Sequence, residues 1–189
     1  MANLHISALP ESFLASLGVK FLSLVYELLI NDPKIITIGE FKGSKLIGFV
    51  AAGGDLKRVY VKLLFKPLLL FRSLNLLSMR FNSLKGIFEV IHYSFFSESR
   101  KSKKIKSKRI IPELYLIAVE SNYQRLGIAS SLMQELIDCF IKQGTMEFKV
   151  LVGEELDSAK KFYEKHGLTR RSRIVHHGKY AVEYTKEIV

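Results

Sequence analysis

A strand, a short polar turn and a glycine at the head of an amphipathic helix constrain this chain more than any other feature. Pro112 to Val119 (PELYLIAV) reads as a strand, and Ser121-Asn122 turns the chain out of it. Gln124-Arg125-Leu126-Gly127-Ile128-Ala129 then opens a helix whose Leu132, Met133, Leu136, Ile137 and Phe140 fall on one face, with Gly144 ending it. The first turn of a helix carries N–H groups without intrahelical acceptors and the positive end of the dipole, so it attracts phosphate. Gly127 lets the backbone approach a ligand closely, while Ala129 and Ser130 keep the next turn uncrowded. Gln124 and Arg125 add donors. An ordinary strand-to-helix connection would show the same pattern.

The surrounding elements alternate between the two hydrophobic periods. A helical stretch opens at Leu9-Pro10-Glu11, is interrupted at Gly18, and resumes with a stripe of Phe21, Leu24, Val25, Leu28 and Leu29. Asn31-Asp32-Pro33 stops it. Lys34 to Glu40 and Lys45 to Ala52 read as a hairpin around Gly43. After the glycine-led helix come a strand at Glu147–Val152 and a helix over Leu156–His166 closed by Gly167. Two further strands, Arg170–Val175 and Lys179–Glu187, join at His177-Gly178. The expected fold is α/β (α+β): a mixed, mostly antiparallel sheet of about six or seven strands flanked by helices.

Leu116-Ile117-Ala118-Val119, then Gln124-x-x-Gly127-x-Ala129 and Leu132-Met133, resembles the acetyl-CoA motif of the GCN5-related N-acetyltransferase (GNAT) superfamily. Ala159-Lys160-Lys161-Phe162-Tyr163-Glu164-Lys165-His166-Gly167-Leu168 looks like that family's alanine, tyrosine, glycine-phenylalanine signature. The resemblance covers residues 111–187 well and 5–52 loosely. It departs at Leu156, where the family often has asparagine, at Leu168, which replaces the common phenylalanine, and at Ala129, which replaces a glycine.

The resemblance implies an N-acetyltransferase with acetyl-CoA as co-substrate and no metal. Backbone groups of Ile117, Ala118 and Val119 would hold the pantetheine arm. Gln124, Arg125, Leu126, Gly127, Ile128, Ala129 and Ser130 would hold the diphosphate. Tyr163, at the family's tyrosine position, would supply a proton to the departing sulfur; a phenol near pKa ~10 and a thiol near ~8.5 make that exchange accessible. Glu113 is the candidate base. It lies six residues before Val119 and so, counted at period two, on one face with Tyr115, Ile117 and Val119. A surface strand acid fits the same position.

Charge is unevenly placed. Of a formal net charge of +11, residues 53–109 hold 14 Lys/Arg against Asp55, Glu89 and Glu98, so the remainder is neutral. This segment interrupts the family plan between two strands that are normally joined by a short turn. Leu56, Val59, Tyr60, Leu63 and Leu64 have helical spacing before Pro67, and Leu68–Met79 and Leu84–Phe96 are apolar enough for helices. Arg100–Arg109 (RKSKKIKSKR) cannot enter a core. The expectation is one domain over residues 1–189 with a helical, basic insertion at 53–109. Its mixture of Leu, Phe and Lys suits an anionic acceptor, an anionic membrane surface, or a mere cover for the core. Nucleic acid is disfavoured, because no aromatics interleave the basic run.

The acceptor expected first is a small amine such as an amino sugar or nucleotide-linked amino sugar. More loosely, the early ALPESFLASLG and the helical insert look like acetyltransferases of bacterial surface-polysaccharide pathways. A protein or peptide amino terminus comes second, and a non-catalytic acyl-CoA-binding module at a membrane surface is the competing class. His92, His166, His176 and His177 are scattered and lack zinc spacing. One cysteine, Cys139, excludes an intrachain disulfide, and no basic, apolar leader opens the chain, so cytoplasm is expected. Deleting Arg100–Arg109 is expected to weaken affinity for the acceptor or for anionic vesicles while leaving acetyl-CoA affinity unchanged, measured by calorimetry and vesicle sedimentation. Unchanged affinity for all three ligands would make the run a linker.

Overall fold

The computed structural model describes residues 1–10, 12–54, 56, 59, 62–63, 110–176 and 179–188. The expected helices over 68–79 and 84–96, the basic run 100–109, His92 and the His177-Gly178 turn lie outside the described residues.

Three helices come first: α1 (Ala2–Ala8), α2 (Phe13–Ser16) and α3 (Gly18–Ile30). The helical stretch expected from Leu9-Pro10-Glu11 therefore begins elsewhere. A full helix precedes it, and Pro10 sits in the break. The break is enforced by Ser12, whose hydroxyl accepts the Ala15 N–H at 3.1 Å and so starts α2 as an N-cap. His5 ties these pieces together. Its Nδ1 lies 2.6 Å from the Tyr26 hydroxyl on α3 and its Nε2 3.0 Å from Ser12 Oγ. Burial holds this imidazole below its ordinary range. Asp32 ends α3: its carboxylate accepts the Lys34 N–H at 3.1 Å and the Lys62 ammonium at 2.9 Å.

Strands β1 (Ile35–Lys42), β2 (Lys45–Gly53), β3 (Glu113–Val119), β4 (Glu147–Gly153), β5 (Thr169–His176) and β6 (Lys179–Glu187) form one sheet in the order β1-β2-β3-β4-β6-β5. Helix α4 (Ile128–Lys142) connects β3 to β4, and α5 (Asp157–Lys165) connects β4 to β5. Every neighbouring pair is antiparallel except β3 with β4. This is the mixed, mostly antiparallel sheet flanked by helices that the periodicities call for.

Two cores lie on opposite faces. On one, Val50, Ala52, Leu114, Val119, Phe148, Val150, Val152, Val182 and Tyr184 meet Leu132, Met133, Leu136 and Phe140 of α4 and Tyr163 of α5. On the other, Phe49 and Ala118 meet Phe21, Leu22, Val25 and Leu29 of α3, with Val59 and Leu63 buried beside them.

Strand β3 changes face midway. Ala51 pairs with Leu116 but Ala52 pairs with Leu114, so Tyr115 is a supernumerary residue, a β-bulge. Leu114 therefore enters the same core as Ile117 and Val119, although it differs from them in parity. By the same count Glu113 faces the opposite side from Ile117 and Val119. This corrects the period-two expectation that they share a face.

Gly48 seats α4. A Cβ there would stand 3.0 Å from Ile128 Cγ2 and 3.2 Å from Leu132 Cδ1, so its absence lets the head of α4 lie on the sheet. Gly48→Val should cost about 1–3 kcal/mol through overpacking, read by urea denaturation; an unchanged midpoint would show that the helix head yields freely.

Candidate active site

The parallel pair is the short one. Strands β3 and β4 register only at Glu113 with Lys149 and Leu114 with Val150. Beyond that, β3 continues against β2 and β4 against β6, so the sheet opens into a wedge. The Glu120 N–H bonds the Ile47 carbonyl across to β2 at 2.8 Å. Alternation then turns Ala118 toward β2 as well, and turns the backbone groups of Ile117 and Val119 toward the wedge. The Val119 carbonyl accepts the Gln124 side-chain amide at 3.2 Å, which fixes the start of the loop beyond it.

That loop folds tightly onto α4. After a 3-10 turn at Ser121–Tyr123, Arg125 has φ 61° and Gly127 φ 86°, two left-handed residues within three positions. For arginine this conformation carries strain of about 1–3 kcal/mol. Gly127 is the N-cap of α4, with no side-chain cap bond, and a Cβ built on it meets nothing within 4 Å. The first intrahelical bond runs from the Ser131 N–H to the Gly127 carbonyl at 2.9 Å. Amides ahead of it, those of Ile128, Ala129 and Ser130, have no acceptor within the helix. Open backbone, aligned donors and the Arg125 guanidinium suit a diphosphate. Leu126 is 68% exposed beside them.

Tyr163 belongs to the core on the α4 and α5 face and is only 6% exposed. Burial pushes its phenol well above the ordinary value of a tyrosine. It is therefore a neutral O–H donor throughout the physiological range.

Glu113 stands where β3 and β4 still touch. Lys149 Nζ lies 3.3 Å from its carboxylate and 3.9 Å from that of Glu183. Burial raises the Glu113 pKa, Lys149 opposes this, and Glu183 adds to it; the balance is above the usual carboxylate value. A carboxylate of raised basicity is suited to take a proton from an ammonium.

Leu156, at the position where the family often has asparagine, starts α5 without a side-chain cap bond. Other contacts brace that turn. The Lys160 ammonium donates to the Glu154 carbonyl at 2.6 Å and pairs with Asp157 at 2.6 Å.

Several partners of the site escape sequence reading. His166 Nε2 lies 3.0 Å from Ser130 Oγ, 36 positions away, and Lys149 joins Glu113 to Glu183 from a different strand. Lys42 and Lys45 place their ammonium groups 5.2 and 5.8 Å from the Tyr123 ring centre, next to the loop. No spacing rule connects residues that only the sheet order brings together.

A wedge lined by strand amides and headed by an open helix turn suits an extended ligand that ends in a diphosphate. Residues 90–169, less than half of the chain, match the family model described as "Acetyltransferase (GNAT) domain". No curated protein matches the sequence. Among solved structures, the ribosomal-protein-S18-alanine N-acetyltransferase from Escherichia coli is similar over 99% of this chain and 86% of its own, with 15% identity and a TM-score of 0.57. An acetyltransferase of the GNAT family from Streptococcus pneumoniae is similar over 91% of this chain and 77% of its own, at 15% identity and a TM-score of 0.53. The NatC complex bound to Gag peptide and CoA contains a chain similar over 87% of this one and 79% of its own, at 16% identity and a TM-score of 0.52. At these identities the likeness is one of fold.

Gly127→Ala should destabilise the chain by about 1–2 kcal/mol through its left-handed backbone, since no neighbour would clash. Denaturant titration checks this, and a neutral result would mean that the loop relaxes to another conformation.

Proposed function

We propose that this chain transfers the acetyl group of acetyl-CoA to a primary amine, with Tyr163 and Glu113 as its proton-handling residues. The observation that carries this reading is the wedge between β3 and β4. Its wall on the β3 side ends in the Gly127 turn, so strand amides and helix-head amides are continuous.

Acetyl-CoA brings the acyl group already activated as a thioester. Amides at Gly127 to Ser130, with Arg125 and Gln124 beside them, would hold its diphosphate. Backbone groups of Ile117 and Val119 would hold the pantetheine arm, and one N–H there would stabilise charge on the acyl oxygen. Glu113 removes the proton that keeps the acceptor nitrogen cationic, directly or through water. As the nitrogen bonds to the carbonyl carbon and the carbon–sulfur bond breaks, Tyr163 donates its proton to sulfur, and the second proton that the nitrogen sheds on becoming an amide returns through water to the phenolate. The same burial that raises the phenol also raises the basicity of a thiolate beside it, so the exchange remains matched.

The bulge at Tyr115 separates these duties. Glu113 serves the face covered by α1 and α3, where the acceptor would approach. Tyr163 serves the face covered by α4 and α5. The acceptor we favour is a small anionic amine, such as a nucleotide-linked amino sugar, because the net positive charge resides in residues 53–109. A peptide amino terminus is the second reading, supported by the likeness to the Escherichia coli ribosomal-protein enzyme. Turnover on a panel holding both amine classes separates the two. Among the described residues, no helix is long and apolar enough to cross a membrane. The single cysteine of the sequence, Cys139, suits a reducing compartment, and on that ground we place the enzyme in the cytoplasm.

Tyr163→Phe and Glu113→Gln should each lower kcat by about 100-fold or more, with coenzyme affinity within about threefold of the parent. Full turnover in both variants would remove them from the mechanism. Glu113 must be ionised to act, so kcat/KM should fall as pH drops through its raised pKa. Lys149→Met removes a neighbour that lowers this pKa, and the acid limb should move to higher pH. A limb that stays in place would assign the base elsewhere.

A further inference from the structure

The first turn of α4 carries one side chain whose placement the coenzyme reading leaves unused. Ser130 lies three residues after the Gly127 cap, and its hydroxyl is 3.0 Å from Nε2 of His166, the C-cap residue of α5. Among the described residues, the imidazole has two ring contacts, with the Phe162 ring at 4.5 Å and Ser130 Oγ at 3.0 Å, and the backbone carbonyl of His166 accepts the Lys186 ammonium at 2.6 Å. The charged groups acting on it are Lys165 on its own helix and Lys186 on β6, while α4 presents the uncharged Ser130.

We propose that His166 is a positioning residue of the diphosphate site, aiming the Ser130 hydroxyl at the phosphate and adding positive charge there when the coenzyme docks. The proposal rests on the coenzyme reading of the Gly127 turn. An Nε2–H that donates to Ser130 Oγ occupies the oxygen's lone pair and leaves the hydroxyl hydrogen to donate to a phosphate oxygen. In the free chain, burial and then the two lysines disfavour the imidazolium. A bound diphosphate reverses the sign of the local field, so proton uptake accompanies binding. By linkage, coenzyme affinity must then rise as pH falls through the His166 pKa.

The test is calorimetric titration of CoA into the full chain and into the His166→Gln and Ser130→Ala variants, from about pH 8 to about pH 5.5. The 3′-phosphate of CoA titrates in the same range, with a pKa near ~6. The informative quantity is therefore the difference between the parent and His166→Gln, repeated with dephospho-CoA. Glutamine keeps a donor to Ser130, so its affinity should stay near the parent's at the alkaline end and fall about tenfold behind at the acid end. Ser130→Ala should bind about tenfold more weakly at every pH. Independently, the imidazole NMR signal missing from His166→Gln should titrate about one pH unit higher with CoA bound.

Superimposable pH profiles for the parent and His166→Gln would overturn the proposal and leave the coenzyme site standing. An imidazole titration unmoved by CoA would do the same. Absence of CoA binding by the parent at any pH would overturn both.

Discussion

The parting of β3 from β4 is the constraint on which the rest of this molecule depends. Two parallel strands that stay in register would satisfy each other's amides and leave nothing for a ligand. Here the register ends after Leu114 and Val150, and the backbone groups of Ile117 and Val119 turn toward the opening. The sheet survives the opening because each strand keeps an antiparallel partner on its other side. Core packing supplies the remainder: Leu114, Val119, Val150 and Val152 pack into one core with α4 and Tyr163. Packing on its flanks thus sets the shape of the wedge.

The chemistry follows from how the helices meet that wedge. α4 can begin at the mouth because Gly48 leaves room for Ile128 and Leu132, and because Gly127 accepts a left-handed backbone. α5 delivers Tyr163 into the dry core and His166 to the first turn of α4. Burial acts on the three titratable side chains in the same sense, against charge. It keeps Tyr163 protonated, His166 neutral and Glu113 more basic than a surface acid.

The strand, turn and helix from Pro112 to Phe140 are legible in the residues because their periods are clean and Gly127 marks the junction. Tyr163 is legible only through family likeness, since a packed aromatic on a helix looks the same. α1 is hidden for a physical reason: its buried face includes His5, a polar residue satisfied by Tyr26 and Ser12, so the apolar stripe is broken. The pairing of Ser130 with His166 is invisible along the chain, because it depends on where two helix ends meet. The family's asparagine position shows the opposite case. Leu156 signals a missing cap, yet the backbone is braced from Lys160, one turn further on.

The supernumerary Tyr115 makes β3 sensitive to count more than to composition. Removing one residue from β3, or adding one opposite it in β2, would restore strict alternation. Removing Tyr115 would leave Glu113 and Leu114 on their present faces, whereas an insertion opposite it would turn Glu113 beneath α4 and α5 and Leu114 beneath α1 and α3. An acid would enter an oily layer, and an aliphatic chain would take its place beside Lys149. A strand without the extra residue therefore keeps its acid on the same side of the sheet only where that acid stands one residue nearer to the Val119 position.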